Sequence, residues 1–298
     1  MFNIPAFIML VGIPGSGKTT IAERLLRDYA AVNIDIGMVH ISSDNIREDL
    51  YGDASIQGDP SEVFSVMHKR TLEALDNGDS VIYDATNVSR KDRASILSKL
   101  PAYVTKECMI VWAPIETCIE RDVKRDRSVG RDVIDRMVKR FQAPYFDEGF
   151  DYIYPIMPES FDAMDYENDL IDSIYIPHDN PHHTSNVIDH CKLARKYIKD
   201  KYDGDDDLRR AAFLHDIGKA YTKSVKDAKG NNSEIAHYYG HQNVGAWQSY
   251  GIDGVGSYIP WLISNHMEPF FNSKYYKSLP AFLKQDIDLL HEADLNAH

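Results

Sequence analysis

The sequence has few cysteines and no long apolar run. Its three cysteines, Cys108, Cys118 and Cys191, are odd in number and lack metal-type spacing, which argues against a disulfide framework and is expected in a reducing compartment. No apolar run approaches the ~20 residues that a membrane-spanning helix needs. The apolar start, MFNIPAFIMLVG, lacks a basic leader and a small-residue cleavage site and is interpreted as a buried strand. We therefore predict a cytoplasmic protein with no membrane contact.

Positive charge is also scarce. The chain has 33 Lys and Arg against 46 Asp and Glu, a net charge of -13 at pH 7. This balance argues against non-specific coating of nucleic acid, which depends on phosphate neutralisation by basic side chains. A basic island lies at residues 121–140, where aspartates are interleaved. It is either a solvated helix face with internal ion pairs or a local anion-binding site, and charge alone leaves both open.

Hydrophobic periodicity predicts an α/β fold in the first half of the 298-residue chain. Short apolar strands alternate there with helical stretches, which is typical of a parallel sheet with helices on both faces. The expected strands are 6–11, 38–41, 80–83 and 109–112, and the expected helices are 20–29, 44–50, 61–75, 90–99 and 116–127.

The pattern changes after about residue 154. Residues 155–180 are rich in Pro, Asp and Ser without a sustained period, which indicates an irregular connection. From residue 185 onward only helical segments are expected, near 186–202, 207–215, 241–250, 258–265 and 279–293. We therefore predict an α/β domain at 1–155, a linker at 156–178 and an all-α domain at 179–298.

A phosphate-binding loop follows the first predicted strand. The segment GIPGSGKT, Gly12 to Thr19, fits G-x-x-x-x-G-K-[ST] and lies between a strand and an amphipathic helix, where phosphate binding requires it. Main-chain N–H groups and the helix N-terminus would surround the phosphates, with Lys18 at the β- and γ-phosphates and Thr19 on magnesium. ATP and Mg²⁺ are the expected ligands. The residues expected to bind ATP are Gly12, Gly15, Ser16, Gly17, Lys18, Thr19 and Thr20.

A candidate acceptor site follows the second strand, in Ser43-Asp44-Asn45-Ile46-Arg47. If Asp44 opens a helix, Asp44 and Arg47 lie on one face at the carboxyl edge of the sheet, where open α/β folds bind ligands. The carboxylate would accept the proton of an attacking hydroxyl, and the guanidinium would bind a phosphate of the acceptor. Taken alone, such a pair is more often a helix cap with a surface ion pair.

These separated motifs together resemble the phage-type 5′-hydroxyl polynucleotide kinase family over roughly residues 5–150. The matching segments are GIPGSGKTT, SDNIR, YDATN followed by SR, ERDVKRDR and GRDVIDRM. The resemblance implies that Asp44 is the general base and that Arg47 binds the acceptor phosphate. It also implies that Arg121 and Arg125, four residues apart on one helix face, hold the ATP phosphates from a lid. Asp84 would support the loop or a magnesium-bound water.

The second half carries a series of histidines and aspartates. Phe213-Leu-His-Asp-Ile-Gly-Lys219 contains an adjacent His-Asp pair, and further histidines and an aspartate flank it in order along the chain. This order resembles the HD metal-dependent phosphohydrolase superfamily, an all-helical fold. The resemblance implies core metal ligands His190, His215, Asp216 and Asp294, second-metal ligands His241 and His266, and a phosphate contact at Lys219. The metal would be divalent Mn, Ni, Co, Zn or Fe. Any one of these histidines alone is more often a core or surface residue than a metal ligand.

Together the two resemblances imply a bifunctional end-healing enzyme. It would phosphorylate the 5′-hydroxyl end of RNA or DNA and remove a 3′ or 2′,3′-cyclic phosphate, with an RNA ligase as a candidate downstream partner. Oligomerisation is compatible with the resemblance. Two alternatives stay open, namely a nucleoside or other small-molecule kinase with a nucleotide-hydrolysing second domain, and a purely regulatory second domain.

Overall fold

Two structural units divide the chain. The structure, a computed structural model, describes residues 4–31, 37–180, 185–202 and 205–297. The first unit comprises Met1–Ile134 and Pro144–Pro158, and the second comprises Asp135–Ala143 and Glu159–His298. None of the helices in the described part of the chain combines the length and apolar character that crossing a bilayer demands.

Five parallel strands form the sheet of the first unit, in the order β2-β3-β1-β4-β5. They are β1 (Ala6–Val11), β2 (Met38–Ser42), β3 (Ser80–Asp84), β4 (Thr105–Val111) and β5 (Tyr152–Ile156). The predicted parallel sheet is confirmed, but β5 was not predicted. It contains Pro155, which an edge strand tolerates because one side of its backbone needs no ladder hydrogen bond. The core includes Leu10, Ile82 and Val111 packed with Ala22.

Three helices of the first unit begin where a short polar side chain caps them. The Ser42, Asp59 and Ser89 side chains accept main-chain N–H groups of the first turns of the helices that follow them. The helices are α1 (Lys18–Ala31), α2 (Ser43–Tyr51), α3 (Pro60–Asp76), α4 (Arg90–Leu97), α5 (Ile115–Val123) and α6 (Arg131–Val138), with a 3-10 turn at Phe146–Glu148. The division into units falls within α6, a helix that was not predicted.

The second unit is mainly helical, with one antiparallel hairpin. Its elements are α7 (Ala163–Ser173), α8 (Val187–Lys201), α9 (Asp206–Leu214), α10 (Lys219–Thr222), β6 (Ser224–Lys226), β7 (Asn232–His237), α11 (His241–Ser249), α12 (Tyr258–Asn265), α13 (Glu268–Phe271), α14 (Lys274–Ser278) and α15 (Ala281–Leu295).

Two expectations about this half were wrong. The predicted linker at 156–178 contains α7, which forms because Asp162 caps it and Leu170 is buried. The second unit was predicted to be all-helical, and the hairpin of β6 and β7 was not predicted. The turn of this hairpin is built by Asp227. Its carboxylate accepts the main-chain N–H groups of Lys229 and Asn231, both at 2.9 Å. Turn chemistry of this kind is visible in the segment DAKGNN.

Large apolar side chains fill the second core, among them Trp247 and Trp261. The three cysteines are free thiols and are all buried, two of them in the first unit and Cys191 in the second. Burial disfavours the thiolate, and it raises the pKa of Cys118 to about 12 and that of Cys191 well above 9.0. These side chains therefore act as packing groups.

Candidate active sites

The predicted phosphate loop connects β1 to α1 and has the backbone shape of a phosphate cradle. Gly15 has φ +81°, and a Cβ there would lie 2.1 Å from the carbonyl oxygen of Cys118, so both the conformation and the space require glycine. The Ser16 hydroxyl is buried and has no hydrogen-bond partner within the described residues. Thr19 and Thr20 are exposed in the first turn of α1. An anion would satisfy these groups, so the loop fits a nucleotide phosphate chain.

Lys18 folds back over the loop, directly after Gly17 with φ +106°. Its Nζ donates hydrogen bonds to the carbonyl oxygens of Gly12 at 3.0 Å and Ile13 at 3.1 Å. Burial lowers the pKa of Lys18 below 10.5, and the nearby charge of Asp84 partly offsets this. The ammonium therefore lies over the carbonyls, from which a phosphate can draw it away.

The acceptor motif forms the first turn of α2. Ser42 at the end of β2 caps the helix, since its Oγ accepts from the main-chain N–H of Asp44 at 3.2 Å and of Asn45 at 3.4 Å. Arg47 Nη1 donates to Asp44 Oδ1 at 3.0 Å, and Arg47 Nε is buried without a partner among the described residues. The register pairs Ser42 with Asp84 and Asp84 with Leu10, so Asp44 lies at the same edge of the sheet as the phosphate loop.

Arginines of the predicted lid also reach this edge. Arg121 Nη1 donates to the carbonyl oxygens of Gly15 at 3.4 Å and Ser16 at 3.5 Å. The charge of Arg125 lowers the pKa of Lys18. The expected helix at 116–127 was too long, because α5 ends at Val123. Arg125 therefore follows the helix in a turn and does not share a helix face with Arg121.

One buried carboxylate organises the turn after α5. Asp122 accepts hydrogen bonds from the Ser128 hydroxyl at 2.7 Å and from the main-chain N–H groups of Val129 at 3.0 Å and Gly130 at 2.9 Å. Burial alone would raise the pKa of Asp122, but these hydrogen bonds and nearby Arg125 hold it below 3.8. We call residues 124–130 the lid loop. Asp122 fixes its shape, a role that the sequence analysis missed.

The lid loop brings a further arginine to the acceptor site. Arg127 Nη2 lies 3.7 Å from Asp44 Oδ2, while Arg47 binds the other oxygen of the same carboxylate. Two guanidinium groups therefore contact Asp44. Sequence analysis placed Arg127 in the basic island but gave it no role.

Asp84 ends β3 and is buried. His40 of the neighbouring strand β2 lies with its Nε2 3.1 Å from Asp84 Oδ2, and the Asp84 charge raises the pKa of Lys18. The carboxylate thus lies at the phosphate loop, as its position at a strand end predicts. The His40 contact was not predicted.

The second unit brings together the predicted core metal ligands. His190 lies on α8, His215 and Asp216 follow α9, and Asp294 lies on α15. His190 Nε2 is 2.9 Å from Asp294 Oδ1 and 3.2 Å from His215 Nε2. Each of the four residues offers a ligand atom within 4.8 Å of the others. This set is chemically suited to a divalent transition metal.

A second group shares Asp216 with the first. His241 Nε2 lies 3.3 Å from Asp216 Oδ1 and 3.3 Å from His266 Nε2, and these three residues also fit a cation. The backbone of His241 packs directly against Gly218, and only glycine fits there because a Cβ would lie 2.1 Å from the His241 carbonyl oxygen. This contact explains the glycine in H-D-I-G-K.

All four histidines turn Nδ1 to a main-chain carbonyl and Nε2 to the cluster. A carbonyl oxygen can only accept, so each Nδ1 that faces one carries the hydrogen and leaves Nε2 turned to the cluster. The pairs are His190 with Ala297, His215 with Ala212, His241 with Tyr238 and His266 with Ile263, at 2.8 to 2.9 Å. Acceptor nitrogens that face one another at 3.2 to 3.3 Å require a cation or a proton near them.

The charges of the cluster fit cation binding. Burial opposes protonation of His215, but Asp216 and Asp294 outweigh it and raise its pKa to about 10. Burial lowers the pKa of His266 to about 3, with the neighbouring histidines adding to the effect. The carboxylate of Asp216 stays ionised, since the nearby cationic groups overcome its burial and lower its pKa well below 3.8.

Lys219, the predicted phosphate contact, is buried beside this cluster. Its Nζ lies 2.5 Å from Asp216 Oδ2 and 3.3 Å from His178 Nε2. His178 donates its Nδ1–H to the Ser185 carbonyl at 2.8 Å, so its Nε2 is the acceptor for Lys219. Burial and the Lys219 charge lower the pKa of His178 to about 4. His178 was not predicted as a site residue.

Residues 7–144 match the family model described as an AAA domain. Among curated proteins, the L-seryl-tRNA(Sec) kinase of Methanococcus maripaludis is 27% identical over 175 residues, covering 56% of this chain and 64% of the relative. The chain therefore spans less than two thirds of the length of this relative.

Solved structures give further matches. A chain of the Pnkp1/Rnl/Hen1 RNA repair complex is 26% identical with a TM-score of 0.41, covering 51% of this chain and 48% of that one. Chaetomium thermophilum Kti12 in complex with ADP-AlF3 is 17% identical with a TM-score of 0.43, covering 56% and 97%. The match over residues 7–144, the five-stranded parallel sheet and the phosphate loop together show a P-loop kinase-like fold in the N-terminal half of this chain.

Proposed function

We propose that the first unit transfers the γ-phosphoryl group of ATP to a 5′-hydroxyl polynucleotide end. The observation that carries the proposal is the strand register, in which Asp84 pairs with Leu10 before the phosphate loop and with Ser42 before Asp44, so that the loop and both carboxylates lie at one edge of the sheet. Arg121 donates to the phosphate loop itself. A carboxylate base and several cations at one phosphate site suit phosphoryl transfer, which depends on positioning and charge stabilisation.

In the proposed reaction Asp44 accepts the proton of the acceptor hydroxyl. The hydroxyl oxygen forms a bond to the γ-phosphorus as the bond to the β-γ bridging oxygen breaks, and ADP leaves with that electron pair. Lys18 and Arg121 stabilise the charge on the phosphates, and Arg47 binds the phosphate next to the acceptor hydroxyl. Thr19 and Asp84 are the residues that would hold Mg²⁺, which neutralises phosphate charge when it is bound.

Two observations support the proposal that the phosphate acceptor is a nucleic acid. The segments SDNIR and YDATN occur in the order of the resembled kinase family, with Asp44 and Arg47 on one turn of α2. A relative, the archaeal L-seryl-tRNA(Sec) kinase, acts by its name on an RNA-linked hydroxyl. A nucleoside or small-molecule acceptor is the competing outcome of the test below.

The kinase test uses the full chain with γ-labelled ATP and four acceptors, namely 5′-hydroxyl RNA, 5′-hydroxyl DNA, a nucleoside mixture and gluconate. We expect label on an oligonucleotide, and a loss of about 10²- to 10⁴-fold in Asp44→Asn, as is usual for a general base. Asp49→Asn is the matched control, because Asp49 lies on the same helix but pairs with Arg70. Transfer to nucleosides alone would reject the strand-end proposal.

We further propose that the second unit is an HD-type metal phosphohydrolase that removes a 3′ or 2′,3′-cyclic phosphate. The observation that carries it is the set of four inward-facing Nε2 atoms around Asp216. Divalent Mn, Ni, Co, Zn or Fe in these groups would supply a nucleophile near neutral pH and polarise the phosphoryl group. Lys219, whose Nζ lies 2.5 Å from Asp216 Oδ2, would bind a phosphate oxygen.

The hydrolase test combines metal analysis with phosphate release from RNA that ends in a 2′,3′-cyclic phosphate. The double variant His215→Ala with Asp216→Ala should abolish release and leave kinase turnover intact. His237→Ala is the control, since this histidine lies on the hairpin and stacks on Tyr239 outside the cluster. Metal-free protein without release would favour a regulatory domain, and release from free nucleotides alone would favour a nucleotide hydrolase.

Both activities on one chain would heal the two ends that RNA cleavage leaves, a 5′-hydroxyl and a 2′,3′-cyclic phosphate. The healed ends are substrates for an RNA ligase, which we propose as the downstream partner. End joining in a mixture of this protein, a purified RNA ligase and cleaved RNA tests this partnership, and joining should require ATP.

A further inference from the structure

A surface of exposed aromatic rings and lysines follows the metal cluster in the second unit. Between residues 269 and 285 the sequence has three lysines, five aromatic residues and no Asp or Glu, in a chain of net charge -13. The rings are 71%, 55% and 66% exposed at Phe270, Phe271 and Phe282, and the lysines at 274 and 277 are exposed as well. We call Phe270, Phe271, Phe282, Lys274 and Lys277 the aromatic-lysine surface.

Helices hold these side chains in place. Phe270 and Phe271 pack edge to face with ring centroids 5.5 Å apart, and α13, which carries them, contacts α15, which carries Phe282. Between them α14 is anchored by the buried ring of Tyr276, over which Lys284 lies at 4.6 Å. The exposed rings are therefore presented by an ordered scaffold and do not contribute to the core.

Nearby carboxylates accept hydrogen bonds from hydroxyl groups of the same region. Asp286 accepts from the Tyr258 hydroxyl at 2.5 Å, and Asp288 accepts from the hydroxyl of Tyr276. Glu268 accepts from the Ser273 hydroxyl. These contacts orient the acids toward protein donors, whereas Lys274 and Lys277 are left at the surface.

We propose that the aromatic-lysine surface binds single-stranded nucleic acid and guides it toward the metal cluster. Aromatic rings stack on bases of any sequence, and lysines bind the phosphates between them, which is how sequence-tolerant strand binding works. Phe270 follows the cluster residue His266 by four residues, so the chain limits the distance between their Cα atoms to about 15 Å. The surface thus lies within reach of a strand whose end is at the cluster. Only this guiding role rests on the proposed hydrolase.

The charges and dimensions of the aromatic-lysine surface favour single-stranded nucleic acid over a membrane or a protein partner. The helices α13 and α14 have four and five residues, too short for an amphipathic helix lying in a membrane interface. Three exposed phenylalanine rings offer on the order of 400 Å², about half of what one partner buries in a stable protein interface. Lysines are also depleted in such interfaces. A strand uses both the rings and the lysines.

Fluorescence anisotropy of the full-length protein tests the proposal, with a labelled 12-nucleotide oligouridylate in EDTA and without ATP. These conditions permit no turnover, so the result is independent of either proposed activity. We expect Phe270→Ala with Phe271→Ala to weaken binding at least about fivefold, the lower bound for one lost stack. We expect Lys274→Ala with Lys277→Ala to reduce the slope of log K against log salt by about 1.4, since each phosphate contact contributes about 0.7.

The matched control is Tyr175→Ala with Lys192→Ala. This pair is also an exposed ring with a lysine over it, at 5.5 Å, but it lies outside the surface. Thermal unfolding should be unchanged in all variants, because the removed side chains are exposed. Equal binding by wild type and the phenylalanine variant would overturn the proposal. So would variant-sensitive binding to phosphatidylserine vesicles without strand binding, or a concentration-dependent dimer that the same variants abolish.

Discussion

Replacing Asp122 by Asn tests whether the lid loop positions the phosphate-binding arginines. The carboxylate accepts three hydrogen bonds at 2.7 to 3.0 Å from Ser128, Val129 and Gly130. A carboxamide offers one acceptor oxygen and turns an N–H₂ group toward the loop donors, so the charge-assisted bonds are lost. Each such bond exceeds a neutral one by about 1 kcal/mol, so the ordered loop loses roughly 2 to 3 kcal/mol.

This loss should appear as about a 30- to 100-fold drop in kcat/KM for ATP, because Arg125 and Arg127 belong to the loop that Asp122 orders. Hydrogen exchange of the main-chain amides in residues 124–130 should rise by a similar factor. The loss is local, so the second unit should unfold as in the wild type. Steady-state kinetics and exchange mass spectrometry measure both effects.

The control is Asp126→Asn, which removes the same charge from an exposed position in the same loop. The kcat/KM of this variant and its amide exchange rates in the lid loop should stay within about threefold of the wild-type values, since an exposed charge contributes little. If Asp122→Asn exchanged its loop amides at the wild-type rate, the assignment of Asp122 as the organiser of the loop would be wrong. If exchange rose and kcat/KM did not change, the loop would be ordered by Asp122 without serving the reaction.

Three further predictions concern the first unit. Gly15→Ala should weaken ATP binding by at least about tenfold in a fluorescent-nucleotide titration, because alanine is strained at φ +81° and has no room there. The free energy of unfolding should fall as the pH drops from about 6.5 to about 4. Burial and Lys99 hold the pKa of His68 at about 4 in the folded state, so the unfolded state takes up a proton at a higher pH than the folded state does. His68→Gln should flatten this pH dependence in urea titrations. Arg93→Met should cost about 3 to 5 kcal/mol in chemical denaturation, because the buried Glu148 carboxylate loses its two hydrogen bonds from Arg93, at 2.6 and 2.7 Å, and keeps Arg90 at 3.9 Å. A cost below about 1 kcal/mol would contradict this.

The sequence predicted those features that depend on local order. Glycines, a lysine and a strand before a helix identify the phosphate loop from short-range pattern alone. The parallel sheet followed from alternating apolar runs, whereas the metal cluster was predicted from the resemblance of its His and Asp order to the HD superfamily. By contrast, β5 has Pro155 and no strongly apolar run, so its pairing with β4 depends on tertiary contact and not on its own pattern.

The missed site residues have a common physical reason. Asp122, Arg127 and His178 act through contacts with residues of a different loop or helix, and nothing in their local sequence differs from a surface residue. The lid helix was predicted too long because Lys124 and Arg125 are good helix formers, while the hydrogen bonds to Asp122 stabilise a turn instead. Tertiary contacts of this kind override helix propensity at the lid.

The burial of every native thiol makes this protein suited to chemical labelling. Cys108, Cys118 and Cys191 are inaccessible and protonated at neutral pH, so maleimide reagents should leave them unmodified in the folded state. A cysteine introduced at Asp126 would then carry a single dye without any prior removal of natural cysteines. Such a reporter would test whether the lid loop moves when ATP is added.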